Sequence, residues 1–207
     1  MFLDVLLNAF FPPTCPVCAK RIETPGALCG DCFSRLQFIH AHQPGKASAV
    51  VYDDTSKRLI LALKYGDKTE LAPLLARMMV NAADEILDGA DTLTCIPLHW
   101  KRMLARKYNQ AAVLAGAISK ICAVPSDPLL LKRIKSTPKQ GTRKERFENV
   151  RDAFAFNSGR SVKGKTVVLI DDVVTTGATA DACARLLLKN GAAEVRLLTF
   201  AKAVGKN

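Results

Sequence analysis

Two groups of residues in this chain have the types and spacing to do chemistry. The first is a set of four cysteines, Cys15-Pro-Val-Cys18 and Cys29-Gly-Asp-Cys32, two CxxC pairs separated by ten residues. Such pairs let two tight turns present four thiolates to one tetrahedral ion. Zinc suits thiolates and needs no redox chemistry, and an iron–sulfur cluster is the competing occupant. The second group is Val167 to Thr179, an apolar run followed by Asp171, Asp172 and then Thr175-Thr176-Gly177-Ala178-Thr179. A strand this apolar is expected in the middle of a sheet, so the two acids emerge at its carboxyl end, where open α/β sheets bind ligands. The turn after them can offer successive N–H groups and hydroxyls to a phosphate. Gly177 allows close approach, and the following helix N-terminus adds partial positive charge. Two carboxylates repel a phosphate aimed at them but accept hydrogen bonds from adjacent sugar hydroxyls, so the combination points to a sugar phosphate. A Mg²⁺ site or an N-cap cluster would account for the acids alone and leave the threonine-rich turn unexplained. There is no GxxxxGK[ST] pattern, which excludes a P-loop.

The elements that must position these groups can be read from periodicity. Apolar residues at helical spacing predict one helix through Leu59 to Lys64 and another through Leu71 to Leu87. Thr92 to Pro97 reads as a short buried strand, followed by a basic loop with Lys101, Arg102, Arg106 and Lys107, then a helix from about Asn109 to Ile121. Val167 to Ile170 reads as a strand, the stretch after Thr179 as a helix to Lys189 capped by Asn190-Gly191, and Glu194 to Ala201 as a further strand. A strand, helix, strand unit of this kind builds parallel sheets, which places the chain in the α/β class. Between the two halves, the run Arg133 to Arg151 is rich in lysine and arginine, carries Pro138 and Gly141, and reads as an exposed mobile stretch.

The four clustered cysteines lie before Gln43-Pro44-Gly45, beyond which β-branched residues begin, so the expected organisation is residues 1–44 as an N-terminal helix with a metal module and 45–207 as the main domain. Cys95, Cys122 and Cys183 sit in apolar patterns and read as buried small hydrophobes. Met1 to Phe11 reads as an amphipathic helix docked on the protein's own body, with no signal-peptide pattern, and no apolar run is long enough for a transmembrane span. A reducing, cytoplasmic setting is therefore expected, in which clustered cysteines bind metal rather than each other. A formal net charge of +11 favours phosphate-bearing partners, whether nucleotide, sugar phosphate or nucleic acid. Aromatics make up only 6% of the chain and offer few stacking platforms for single-stranded nucleic acid.

The acid pair followed by Thr-Thr-Gly-Ala-Thr resembles the 5-phosphoribosyl-diphosphate (PRPP) signature of type I phosphoribosyltransferases. The remaining hallmarks resemble the ComF family: the paired CxxC module, Leu63-Lys64-Tyr65-Gly66, Pro97-Leu98-His99 with Arg106-Lys107-Tyr108-Asn109-Gln110, and Arg133…Thr137…Gln140…Arg146…Asn149-Val150. The resemblance implies a type I phosphoribosyltransferase fold behind a small zinc ribbon held by Cys15, Cys18, Cys29 and Cys32. It implies that Asp171 and Asp172 hold the ribose hydroxyls and act in catalysis, and that Thr175, Thr176, Gly177, Ala178 and Thr179 enclose the 5-phosphate. Arg106, Lys107 and Asn109 would take the pyrophosphate, with Mg²⁺ bridging pyrophosphate and ribose. Lys107 stands where the family usually has glycine. Arg133, Gln140, Arg143 and Arg146 would belong to a flexible loop closing over PRPP. Two functions follow as expectations: transfer of phosphoribosyl to an unidentified acceptor, or single-stranded DNA binding in concert with other DNA-uptake proteins.

Overall fold

The structure is a computed structural model that describes residues 12–65, 68–99, 103–104, 106–135 and 153–204. Four parallel strands form the main sheet: β1 (Lys46–Val51), β2 (Thr92–Cys95), β5 (Thr166–Val174) and β6 (Glu194–Lys202), in the order β1-β6-β5-β2. A separate antiparallel ribbon pairs β3 (Leu131–Arg133) with β4 (Phe154–Phe156). The helices are α1 (Gly30–Ser34), α2 (Asp54–Tyr65), α3 (Ala72–Asn81), α4 (Asp84–Leu87), α5 (Gln110–Cys122) and α6 (Ala178–Lys189).

Strand alternation sorts the core into two layers. Val168 and Ile170 of β5, with Leu198 and Phe200 of β6, join the cluster built by α2, α3 and α5 through Leu59, Leu63, Leu75, Leu114 and Ile118. Val167 and Leu169, with Leu197, pack on the other face against Cys183 and Leu187 of α6 and against the ribbon through Leu131 and Phe154. β5 and β6 are thus covered on both faces, which is why they read as continuous apolar runs. Cutting the fully buried Ile170 to alanine would cost about 2–5 kcal/mol, as in other cores.

Both sheet edges are occupied. The chain leaving the cysteine module runs antiparallel to β1, with Ile39 N–H donating to Ala49 O at 3.0 Å and Val51 N–H to Gln37 O at 2.8 Å. At the other edge, Leu93 N–H donates to Pro125 O at 2.8 Å and Asp127 N–H to Leu93 O at 2.9 Å. Covered edges remove the template for strand addition by another chain.

Three elements differ from the periodicity reading. The second apolar run splits into α3 and α4, because Ala82 and Ala83 turn through tighter bonds to Met79 O and Val80 O. β2 stops at Cys95, two residues before Pro97. β5 does not end at Ile170 but carries both aspartates inside it, pairing with β6 through Asp171↔Thr199, Val173↔Ala201 and Val174↔Lys202. The amphipathic opening, Met1 to Phe11, lies outside the described residues. No helix among the described residues is long and apolar enough to cross a membrane.

Candidate functional site at the carboxyl end of the sheet

β2 and β5 are neighbours, with Cys95 opposite Ile170 and Ile96 N–H donating to Ile170 O at 3.0 Å. The loop after β2 and the turn after β5 therefore leave the sheet side by side, bringing two of the three expected residue sets together.

The turn after β5 is built as its residue types require. Gly177 caps α6 with φ +78°, a left-handed conformation that a side chain would strain. Thr175 and Thr176 are exposed, and Ala178 is buried as α6 begins. Asp171, Thr199 and the stretch Val173 to Ala180 line one cleft, so the first carboxylate and the helix N-terminus share a space.

The two carboxylates sit in different surroundings. Asp171 is on the face of α6, and one of its oxygens accepts from Asp172 N–H at 2.9 Å. Burial, and next the charge of Asp172, hold its carboxyl well above the ordinary aspartate value of 3.8. Asp172 is on the opposite face, 8% exposed, against the ammonium of Lys64 at the end of α2. Its Oδ2 has no other hydrogen-bond partner among the described residues.

The loop after β2 is anchored rather than loose at its far end. Asn109 caps α5, its Oδ1 accepting from Ala111 N–H at 3.1 Å while its Nδ2 donates to Ile96 O at 3.0 Å. The amide expected to meet a phosphate is thus engaged in holding both ends of its own loop. Arg106 donates to Tyr65 Oη at 2.9 Å and to Gln110 Oε1 at 3.2 Å, and its guanidinium lies 5.0 Å from the Tyr65 ring centre. Tyr108 Oη donates to Leu63 O, tying the loop to α2. Lys107 has φ +65°, so the backbone keeps the left-handed conformation that glycine adopts freely, at a cost of roughly 1–2 kcal/mol. His99 is buried at 6% exposure. Trp100, Lys101 and Arg102 lie outside the described residues.

The third set is only partly visible. Arg133 was expected in the mobile loop, but it closes β3 opposite Phe154, with its guanidinium 5.3 Å from that ring centre. It is a root of the segment, fixed by the ribbon. Gln140, Arg143 and Arg146 lie outside the described residues.

Lys64 is the site residue that function-first reading of the sequence passed over. It follows the buried stripe Leu59, Ile60, Leu63 and so stands at the rim of the packed face. Its place in the Leu63-Lys64-Tyr65-Gly66 stretch was the available signal, but its partner is far along the chain.

The four cysteines converge on one another. Their sulfurs all lie within 4.8 Å, and Cys18 Sγ is 3.6 Å from Cys29 Sγ. Thiolates bound at about 2.3 Å to a tetrahedral zinc stand about 3.8 Å apart, so the donor set fits that ion. The first knuckle turns at Ala19, φ +61°, with Ala19 N–H donating to Cys15 O at 2.9 Å and Cys15 N–H to Lys20 O at 2.8 Å. The second is the start of α1, where Cys32 and Phe33 N–H groups both donate to Cys29 O. Backbone hydrogen bonds draw the Cys15 thiol down to about 6 against the opposing effect of burial, which is the largest influence on it. Cys95 and Cys183 are buried small hydrophobes, the former pushed up to about 12 by desolvation.

Comparison with known proteins joins these two sites. The phosphoribosyl transferase domain profile matches residues 109–206 and the double zinc ribbon domain profile matches residues 6–45. Competence protein F of Haemophilus influenzae is 29% identical over 207 residues, covering 91% of this chain and 90% of that protein. At this identity the chain resembles the ComF proteins over most of its length. DNA utilization protein YhgH of Escherichia coli is 29% identical over 88% of this chain, and Competence protein ComFC of Bacillus subtilis 27% identical over 91%, with 87% and 78% of those proteins covered. Among solved structures, a hypoxanthine phosphoribosyltransferase from Staphylococcus aureus overlaps with a TM-score of 0.44 at 12% identity, covering 67% of this chain and 76% of that one. By those two profiles and the four-cysteine cluster, the chain has a type I phosphoribosyltransferase fold with an N-terminal four-cysteine zinc ribbon.

Proposed function

We propose that this protein binds PRPP at the carboxyl end of β5 and transfers its phosphoribosyl group to an acceptor. The observation that carries this is the pairing of a glycine-capped, threonine-rich helix N-terminus with a half-buried carboxylate in one cleft. The turn Thr175 to Thr179 suits the 5-phosphate, through N–H groups and hydroxyls. Asp171 and Asp172 suit the ribose hydroxyls, and the Asp172 oxygen, held only by the Lys64 ammonium among the described residues, can accept from a ligand hydroxyl.

In the reaction, the C1–O bond to pyrophosphate breaks as a nucleophilic atom of the acceptor bonds to C1. Arg106, and Lys107 beside it, stabilise the charge that builds on the departing pyrophosphate, while Asn109 holds the loop that carries them. Gln140, Arg143 and Arg146 belong to the segment that would cover the site and exclude water. Mg²⁺, if bound with the ligand, would supply charge neutralisation, and Asp171 and Asp172 are the oxygen donors that would hold it. Zinc is structural in this reading, since its four donors leave no open position. The division at residues 44 and 45 belongs to the same reading, supported by the turn from Gln43 to Lys46 that starts β1. A reducing cytoplasm suits four free thiols.

A second reading keeps the PRPP site as a sensor or relic on a protein that binds single-stranded DNA through the ribbon and the basic segment. The net charge of +11 favours it, as do relatives named for competence and DNA utilization. Calorimetry with PRPP and Mg²⁺, run beside a salt titration of single-stranded DNA binding, separates the two. Saturable PRPP binding, with pyrophosphate released when nucleobases or amines are screened as acceptors, supports the transferase. DNA binding with a steep salt slope and no response to PRPP removes it.

A further inference from the structure

Lys64 has no role in the reading above, yet it is the only cation among the described residues ion-paired with either acid of the pair. Its side chain is 19% exposed and that of Asp172 11%, so the pair is shielded from the solvent that makes surface ion pairs nearly worthless. Its charge is also felt at Asp171, where it pulls the carboxyl down against burial and the charge of Asp172. Two acids side by side on one strand would repel, and Lys64 offsets half of that charge.

Asp172 Oδ2 lies against the Lys64 ammonium and has no other hydrogen-bond partner among the described residues. An ammonium on a flexible four-carbon stem is a partner that a ligand's own donors can replace. α2 is also the helix that meets the loop after β2: Tyr65 receives the Arg106 hydrogen bond and Leu63 O that of Tyr108. Lys64 therefore stands between the acid pair and the loop expected to take the pyrophosphate.

We propose that Lys64 is a resident counter-ion of the acidic pair, holding Asp172 until a divalent cation and a diphosphate arrive, and then turning its ammonium to the diphosphate. The proposal deepens the PRPP reading and rests on it for the second half. Lys64 is a positioning residue here: it keeps the empty pair from capturing a bare metal ion and frees Asp172 for the ligand's hydroxyls when negative charge becomes available nearby.

The two halves predict effects of opposite sign. Mn²⁺ alone and Mg²⁺ with PRPP serve as separate calorimetric probes of the full-length, zinc-loaded protein. Lys64→Met is expected to raise affinity for Mn²⁺ alone about tenfold, the scale on which one neighbouring charge shifts a carboxylate's ion affinity. The same variant is expected to lower affinity for PRPP with Mg²⁺, and Lys64→Arg to stay near wild type in both. A merely structural lysine would weaken both affinities or neither, and either result overturns the proposal. If Lys64→Met gains Mn²⁺ affinity but even the wild type ignores PRPP, the counter-ion assignment stands and the phosphoribosyl reading falls.

Discussion

The cysteine module and the carboxyl end of the sheet each crowd together groups that become negative, and they handle the crowding differently. In the module, four sulfurs lie within 4.8 Å, and Lys20, whose charge reaches Cys18 and Cys29, is exposed and paired with Asp31 at 3.3 Å. In the sheet, the acid pair has Lys64 against it. The first arrangement makes sense only with a metal in place, and it sits in a loop-rich region whose own contribution to the main core is small: Leu36, with Val17, Leu28 and Phe38 leaning on it. The second arrangement is neutralised well enough to stand empty, which is what a site that must release its ligand requires. In the proposed reading, the cysteine site is part of the fold and the acid pair part of a cycle.

The comparison breaks most visibly at the cysteines. Cys15→Ser with Cys18→Ser should abolish zinc in elemental analysis, removing a binding free energy of about 10–16 kcal/mol that such modules use to fold. Hydrogen exchange should then lose protection across residues 12–44 while β5 and β6 keep theirs. Loss of protection in the sheet as well would mean that the module holds up the main core, and the contrast drawn here would fail.

The carboxylates should behave in the converse way. Asp171→Asn with Asp172→Asn removes two charged acceptors, each worth about 1.5–3 kcal/mol, so PRPP affinity should fall about 100-fold or more with zinc content unchanged. Retained tight binding would place the ribose elsewhere.

A smaller effect sharpens the same contrast through stability. The Asp171 carboxyl is held above its ordinary value of 3.8, so its ionisation opposes folding. That cost is absent below the ordinary value, grows as pH rises toward the raised one, and is constant above it. Asp171→Asn should therefore be more stable than wild type at neutral pH, by about 0.5–2 kcal/mol, as is common when a strained functional group is neutralised. The gap should close on acidification toward 3.8 in paired thermal melts. A gap that does not change with pH would mean that desolvation of this carboxyl is not what the substitution relieves.

Much of this was legible in residue order, and the exceptions have physical reasons. α6 and its caps were readable because Gly177 and Asn190-Gly191 bracket a helical period, and the four cysteines because their spacing has one common meaning. The true length of β5 was hidden: two aspartates look like the end of a strand, and only pairing with Thr199, Ala201 and Lys202 of β6 carries the ladder past them. The β3–β4 ribbon was hidden because three-residue strands of Leu-Lys-Arg and Phe-Ala-Phe carry almost no period, and their pairing is long-range. Asn109 was read as a ligand contact, and the structure adds a second task that an amide at a helix start suits, the cap of α5. Lys107 shows the reverse case, in which an unfavourable residue accepts the backbone path that the loop imposes. Lys64 could not be assigned from sequence, since its meaning depends on a carboxylate that only the folded sheet brings near.

The most direct test of the central claim is a crystal of the zinc-loaded protein soaked with PRPP and Mg²⁺. The account predicts density for the 5-phosphate within the Thr175–Thr179 turn and for the ribose hydroxyls against Asp171 and Asp172, with the Lys64 ammonium withdrawn from Asp172. A crystal with that turn empty, or with the sugar diphosphate held at another surface, would contradict it.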